Sequence, residues 1–266
     1  MCKKKGNIVK KGILVASFGT SHEASRRSTI CEVEELVRAA FPGSMVESAY
    51  TSRIVRGILK KRGINAVSPE EALEKMAENG VDELIVQPTH LIPGEEYEKL
   101  LQAVREYKGR FAVVRAGQPL FSATRDLLEA VSLLNSRFPE EEGTCVLLMG
   151  HGSAHPANMV YSALSYMMHK SGRKDILIAT VEGYPSFDEV LPELLEKGFR
   201  KVMLAPLMLV AGDHAVNDMA GSGPDSWKSI LENEGLGVAV QLKGLGEDPD
   251  FRAMYIRHIE QAEMFV

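Results

Sequence analysis

Residues 200–218 read RKVMLAPLMLVAGDHAVND. The apolar run from Val202 to Val210 is broken only by Pro206 and gives way to Gly-Asp-His, which sets His214 just past its end. A near-continuous apolar run of that length suits a central parallel strand covered on both faces. In open parallel sheets the ligand crevice lies beyond the carboxyl ends of the strands, where His214 falls. One histidine at such a place is a weak signal. Two more apolar strands in the same half, 144–149 and 175–181, run into His151 and Glu182, and three metal-competent strand ends together are a stronger one.

Outward from this segment, strand and helix signals alternate. Strands are expected at 12–18, 45–50, 83–89 and 110–116 in the first half, and at 144–149, 175–181, 202–210 and 238–242 in the second. Helices fill the intervals, with one helical region at 215–234 and a last helix at 250–262. Thr20 with Glu23, Ser68 with Glu71 and Ser186 with Glu189 have capping-box spacing, and Pro69 sits at a first helical position. Repeated strand–helix units imply right-handed crossovers and a parallel sheet in each half.

The halves also match each other. VLLMGHGSAH at 146–155 aligns with ILVASFGTSH at 13–22, and GFRKVMLAPLMLVAGDH at 198–214 with GVDELIVQPTHLIPGEE at 80–96. An ancestral duplication accounts for this. The expected fold is α/β, with two similar Rossmann-like domains, 1–125 and 126–266, each a parallel sheet flanked by helices, facing across a cleft. The second domain carries the metal-competent residues, and the last helix can pack back on the first. In the alignment His151 falls on Phe18 and His214 on Glu96, so the halves have diverged where the chemistry would be.

With 45% hydrophobic and 25% charged residues the chain is an ordinary globular one, and no apolar run reaches the ~20 residues that span a bilayer. Net charge of −5 gives no general surface for nucleic acid. The start, MCKKKGNIVKK, has basic residues but no apolar core or cleavage site, so no signal peptide is expected. Cys2, Cys31 and Cys145 have neither metal nor redox spacing and fit reduced thiols in the cytoplasm. The basic run 53–62, with Arg53 and Arg56, reads most plainly as a solvated helix face; its functional reading is an anchor for a polyanion.

Two imidazoles and one carboxylate at neighbouring strand ends can share a divalent first-row ion, and no thiolate is placed to close a structural zinc site. His151 lies between glycines, where the backbone turns sharply and approaches something closely. Glu182 ends an apolar strand, where a carboxylate needs a partner. His214 reads alternatively as an exposed loop residue. His155 and its counterpart His22 read as residues that hold their turns, and His169 and His258 as helix-surface histidines.

At this point the motifs resemble a known family. LVASFGTSH, TSRIVR, THLIPGEEYEKL, MGHGSAHPAN, VEGYPSFDEVL and PLMLVAGDHAVNDMAG together are similar to the anaerobic cobalt chelatases of the CbiK family, class II chelatases that share their fold with ferrochelatases. The resemblance implies metal ligands at His151, Glu182 and His214, the positions the strand ends had reached. It implies insertion of Co²⁺ into sirohydrochlorin with release of two protons, in anaerobic cobalamin biosynthesis. Fe²⁺ and Ni²⁺ are the alternative metals, and no organic cofactor is implied. An imidazole with an ordinary pKa of about 6.5 suits the acceptance of pyrrole protons, so His151 and His214 are the candidate catalytic residues.

The polycarboxylate macrocycle calls for cations and backbone amides. Arg53 and Arg56 are candidate anchors, and Gly19, Thr20 and Ser21 are expected to offer amides at a helix N-terminus. His90 is either a ring contact or a hydrogen-bonded loop histidine. Phe18 and Leu91, with Met208 and Leu209, are candidate apolar walls, although core packing also explains Met208 and Leu209. Rival readings are an iron chelatase acting on sirohydrochlorin or porphyrin, a non-catalytic metal or tetrapyrrole carrier, and a metal-dependent hydrolase that would lack an obvious base and nucleophile. Self-association into a homo-oligomer is left open by the sequence.

Overall fold

Runs rich in Val, Ile and Leu form strands, and Gly, Pro and capping residues set their limits. A computed structural model describes residues 9–266; Cys2 and most of the segment read as lacking a signal peptide lie outside the described residues. The first half runs β1 (Lys11–Ser17), α1 (Glu23–Arg26), α2 (Glu32–Ala40), β2 (Met45–Tyr50), α3 (Arg53–Lys61), α4 (Pro69–Glu78), β3 (Glu83–Pro88), α5 (Glu95–Tyr107), β4 (Val113–Ala116) and α6 (Thr124–Arg137). The second runs β5 (Thr144–Gly150), α7 (Met159–Lys170), β6 (Ile176–Thr180), α8 (Phe187–Glu196), β7 (Lys201–Pro206), α9 (Trp227–Asn233), β8 (Gly237–Val240), α10 (Pro249–Glu260) and β9 (Glu263–Met264).

The sheets have strand orders β2-β1-β3-β4-β9 and β6-β5-β7-β8. Every pairing is parallel except β4 with β9. The first four strands of each sheet therefore share one order, as a duplicated strand–helix unit requires. The C-terminal segment then returns to the first sheet as its edge strand. Among the described residues, no helix is long and apolar enough to cross a membrane.

Alternation along the strands distributes the core. On β1, Leu14 and Ala16 face α4 and α5 (Leu73, Met76, Leu100), while Ile13 and Val15 face the opposite way. On β5, Leu147 and Met149 pack with Leu194 of α8 and Trp227 of α9, and Phe187 stacks on Trp227 at 4.7 Å. The remaining faces of both sheets meet in one cluster with Val33, Leu134, Leu164 and α10's Phe251, Met254 and Tyr255. The halves thus share a core. Each such side chain contributes about 1.5–3 kcal/mol through burial.

Polar contacts fix α10 to the first half. Tyr255 Oη donates to Thr89 O at 2.8 Å. His258, expected at the surface, is buried, with Nδ1 3.0 Å from Gln118 O and Nε2 3.1 Å from Asp126 Oδ1. His169 is half-buried as well. Burial raises the Asp126 carboxyl, but the His258 bond and charge, with the amides of Ala123 and Ser122, outweigh it and hold the group below its ordinary range. Ionised Asp126 therefore stabilises the fold above its unfolded-state pKa, and that contribution is lost as pH falls through the lower folded-state value. Asp126→Asn is expected to lower stability by about 2 kcal/mol at neutral pH and to flatten the loss of stability below about pH 4, as read from urea midpoints across that range.

Several local expectations are corrected. β7 stops at Pro206, not residue 210, because its neighbour β5 runs out: Leu207 N reaches Met149 O, and Gly150 O is taken by Val181 N. The region 215–234 is not one helix but a π-helical turn (Ala215–Met219) and α9, separated by residues 220–226, which include Gly221, Gly223 and Pro224. Thr20 caps no helix. Its Oγ1 accepts from His22 N, and the Glu23 carboxylate binds Arg26 and Arg27. The Ser68–Glu71 box does form, with bonds of 3.2 and 2.7 Å.

Candidate metal centre

β5 lies in the middle of its sheet and delivers His151 one residue past its end. Gly150 fits there because the Tyr161 ring lies where a Cβ would come within 2.5 Å. The following turn is held against the loop after β6: Glu182 N donates to His151 O at 2.8 Å. Gly152 has φ +81°, and a Cβ on it would lie 2.5 Å from Gly183 N. Asn158 ties the two loops, accepting from Ser153 N at 3.0 Å and donating to Tyr184 O at 2.6 Å. His151 and Glu182 are thus brought together by backbone contacts that only glycine permits.

His214 arrives from the third loop. After Leu207 the chain bends, Gly212 N bonds Val210 O at 3.0 Å, and His214 opens the π-helical turn. That turn places Asp218 Oδ2 2.5 Å from His214 Nδ1. Asp218 escaped the sequence reading; its signal was the His-x-x-x-Asp spacing, one helical turn.

One ligand atom from each of His151, Glu182 and His214 lies within 4.8 Å of the others. His151 Nδ1 is 3.0 Å from Gly152 O, an acceptor, so that nitrogen carries the proton and Nε2 keeps its lone pair. The Asp218 contact has the same consequence for His214. The imidazoles stand edge-to-face with centroids 4.9 Å apart. Glu182 lies between them, Oε2 3.8 Å from His151 Nδ1 and Oε1 4.0 Å from His214 Nε2. Bonds of about 2.0–2.2 Å put adjacent ligands roughly 3–3.5 Å apart, so small side-chain rotations close the set around an ion. The side chains are 46%, 57% and 31% exposed, which suits a cation that arrives and departs. Asp218→Asn is expected to weaken Co²⁺ binding about 10–100-fold without altering the circular dichroism; a Co²⁺ titration checks this.

The other expected residues divide. Phe18, the counterpart of His151, is exposed just past β1. Gly19 has φ +97°, and Thr20 is buried with its hydroxyl engaged. Ser21 O accepts from Arg62. The helix begins only at Glu23, so Gly19, Thr20 and Ser21 do not form the helix N-terminus expected of them. Arg56 donates Nη1 to Tyr50 O and Thr51 O and braces the end of β2, whereas Arg53 is exposed with no ion pair among the described residues. Leu91 packs on the shared core, as does the buried Leu209, while Met208 lines the core behind β7. The ring nitrogens of His90 are buried with no protein partner among the described residues, and burial lowers its pKa to about 4, opposed by Glu96.

A cluster of two imidazoles and one carboxylate thus lies at the carboxyl ends of one parallel sheet of an α/β protein whose two sheets share their strand order. A family model described as "Cobalt chelatase (CbiK)" matches residues 11–264, and the chain belongs to that family. It is 38% identical over 256 residues to a "Sirohydrochlorin cobaltochelatase" of Salmonella typhimurium, covering 96% of this chain and 97% of that one. It is 36% identical over 260 residues to "Sirohydrochlorin cobaltochelatase CbiKC" of Nitratidesulfovibrio vulgaris, covering 96% and 91%. Among solved structures, SirB from Bacillus subtilis with Fe³⁺ has the same fold, with a TM-score of 0.67 at 14% identity over 95% of both chains.

Proposed function

We propose that the chain inserts Co²⁺ into sirohydrochlorin, exchanging the metal for two pyrrole protons. The observation that carries this reading is the N₂O ligand set formed by His151, Glu182 and His214 on three exposed strand-end loops. Relatives matched over nearly the whole chain bear the name of that activity.

His214 presents Nε2 to the ion, His151 turns its ring to bring its free Nε2 in place of the Nδ1 that lies 3.8 Å from Glu182, and Glu182 supplies the negative charge that attracts the ion. Two neutral imidazoles and one carboxylate hold a first-row dication less firmly than a thiolate set, so a macrocycle can take it. As ring nitrogens replace the imidazoles, each Nε2 lone pair becomes free to accept a pyrrole proton. One dication enters the ring and two protons leave it, so charge balances. The halves 1–125 and 126–266 form the walls around the ring. Phe18 and Leu91 offer apolar contact, Arg53 pairs with a peripheral carboxylate, and His90 supplies ring nitrogens that no protein group among the described residues satisfies.

Mixing catalytic amounts of protein with excess sirohydrochlorin and Co²⁺, and following absorbance, tests the reading. Multiple turnovers, faster with Co²⁺ than with Fe²⁺ or Ni²⁺, are expected. Faster turnover with iron would reassign the metal, and a spectral change that stops at one equivalent would make the protein a carrier.

A further inference from the structure

His22 and His155 are equivalent residues of the two halves, each the fifth past its strand, β1 or β5. In both turns the histidine N–H donates to a hydroxyl two residues earlier: Thr20 Oγ1 at 3.2 Å and Ser153 Oγ at 3.0 Å. Both rings then reach an acid in the opposite half, on or just before the segment that follows the third strand. His22 Nε2 lies 3.8 Å from Asp213 Oδ1, and His155 Nε2 lies 3.2 Å from Glu98 Oε1. The histidines are equivalent but the acids are not, and only the His155 contact is short enough for a hydrogen bond.

Their surroundings differ. Near His22 the halves are packed together: Ser25 Oγ donates to Ala211 O at 3.1 Å, and Gly246 sits so close that a Cβ would lie 2.8 Å from Thr29 Cβ. Near His155 the contact is sparse. Its bond to Glu98 is the only hydrogen bond from α5 to the second half among the described residues, and the Glu98 side chain is 64% exposed. His155 also lines, with Met159, Glu182 and Tyr184, the pocket beside the metal triad. Its tautomer follows from geometry. Nδ1 accepts the Ala157 N–H at 3.1 Å, so the proton sits on Nε2 and is donated to Glu98. The neutral ring suffices.

We propose that the His155–Glu98 bridge is a latch across the loose edge between the halves, with the His22–Asp213 side as the fixed end. A flat macrocycle enters when the latch parts and is retained when it re-forms. The identity of what is retained rests on the function proposed above; the latch itself does not. Glu98→Ala is the informative variant because Glu98 touches no member of the triad. Glu98→Gln keeps an oxygen that accepts from Nε2–H and should behave as the parent chain.

Hydrogen exchange on the metal-free, ligand-free protein gives the first readout. Amides of residues 153–155, 157 and 158 should exchange several-fold faster in Glu98→Ala and at the parental rate in Glu98→Gln. Stopped-flow dissociation of metal-free sirohydrochlorin gives the second, with release from Glu98→Ala roughly tenfold faster while Co²⁺ affinity without macrocycle stays unchanged. Parental exchange in Glu98→Ala would overturn the latch. So would parental release of a macrocycle that the parent chain binds. If the parent chain binds no sirohydrochlorin, the proposed function fails, and hydrogen exchange alone then decides on the latch.

Discussion

Replacing His214 with alanine is expected to lower kcat/KM for Co²⁺ insertion by about 10³-fold or more while leaving the protein folded. Outer-shell changes at metal sites already cost roughly 10–100-fold, and this one removes one of three ligands. The fold should survive because the ring is partly exposed, makes no capping bond to the turn it opens, and among the described residues has only Asp218 within hydrogen-bond reach. Asp218 is itself half-exposed and can return to water without a large penalty. His151→Ala should lose a similar factor. The double variant should lose little more than either single one, because the two rings act as one cradle and their effects do not add. Steady-state kinetics with a parallel Co²⁺ titration, and a melting curve as control, make the measurement. Activity within tenfold of the parent chain would remove His214 from the ligand set.

The three candidate ligands were legible because each lies at or beyond the end of an apolar strand, a place that topology assigns to ligands. What lay behind them was harder to see. Asp218 is found by counting one turn onward from His214, but a single helix expected over 215–234 assigns that turn no particular register. The apolar residues 207–210 prolonged the expected strand, yet hydrophobicity reports burial and not ladder pairing; Leu207 and Leu209 are core residues on a bent segment. His258 did leave a trace. It shares the i, i+3, i+4, i+7, i+8 stripe of Phe251, Met254, Tyr255 and Ile259, and such a stripe marks a buried face whatever residue it contains. The shared core had no comparable signal, because periodicity shows which residues are buried and not what they are buried against. The inter-half bond from His155 to Glu98, 57 residues apart, was invisible for the same reason.

Gly152→Ala should lose about 2–5 kcal/mol of stability and most Co²⁺ affinity together. Two effects combine. A left-handed backbone at φ +81° costs an L-residue about 1–2 kcal/mol. The added Cβ would also sit 2.5 Å from Gly183 N and 2.8 Å from Thr180 Cβ, and crowding of packed backbone costs roughly 1–3 kcal/mol more. Gly198 separates the terms. It has φ +71° but nothing within 4 Å of its Cβ position, so Gly198→Ala should show the strain alone. Relief of the clash at Gly152 requires the loops after β5 and β6 to part, and the bond from Glu182 N to His151 O spans that seam. Moving it separates one imidazole from the carboxylate, so cation affinity should fall in Gly152→Ala and stay unchanged in Gly198→Ala. Urea unfolding and Co²⁺ titration of the two variants side by side distinguish the cases. Equal behaviour would mean that the close approach of the two glycines is not what holds His151 and Glu182 in register.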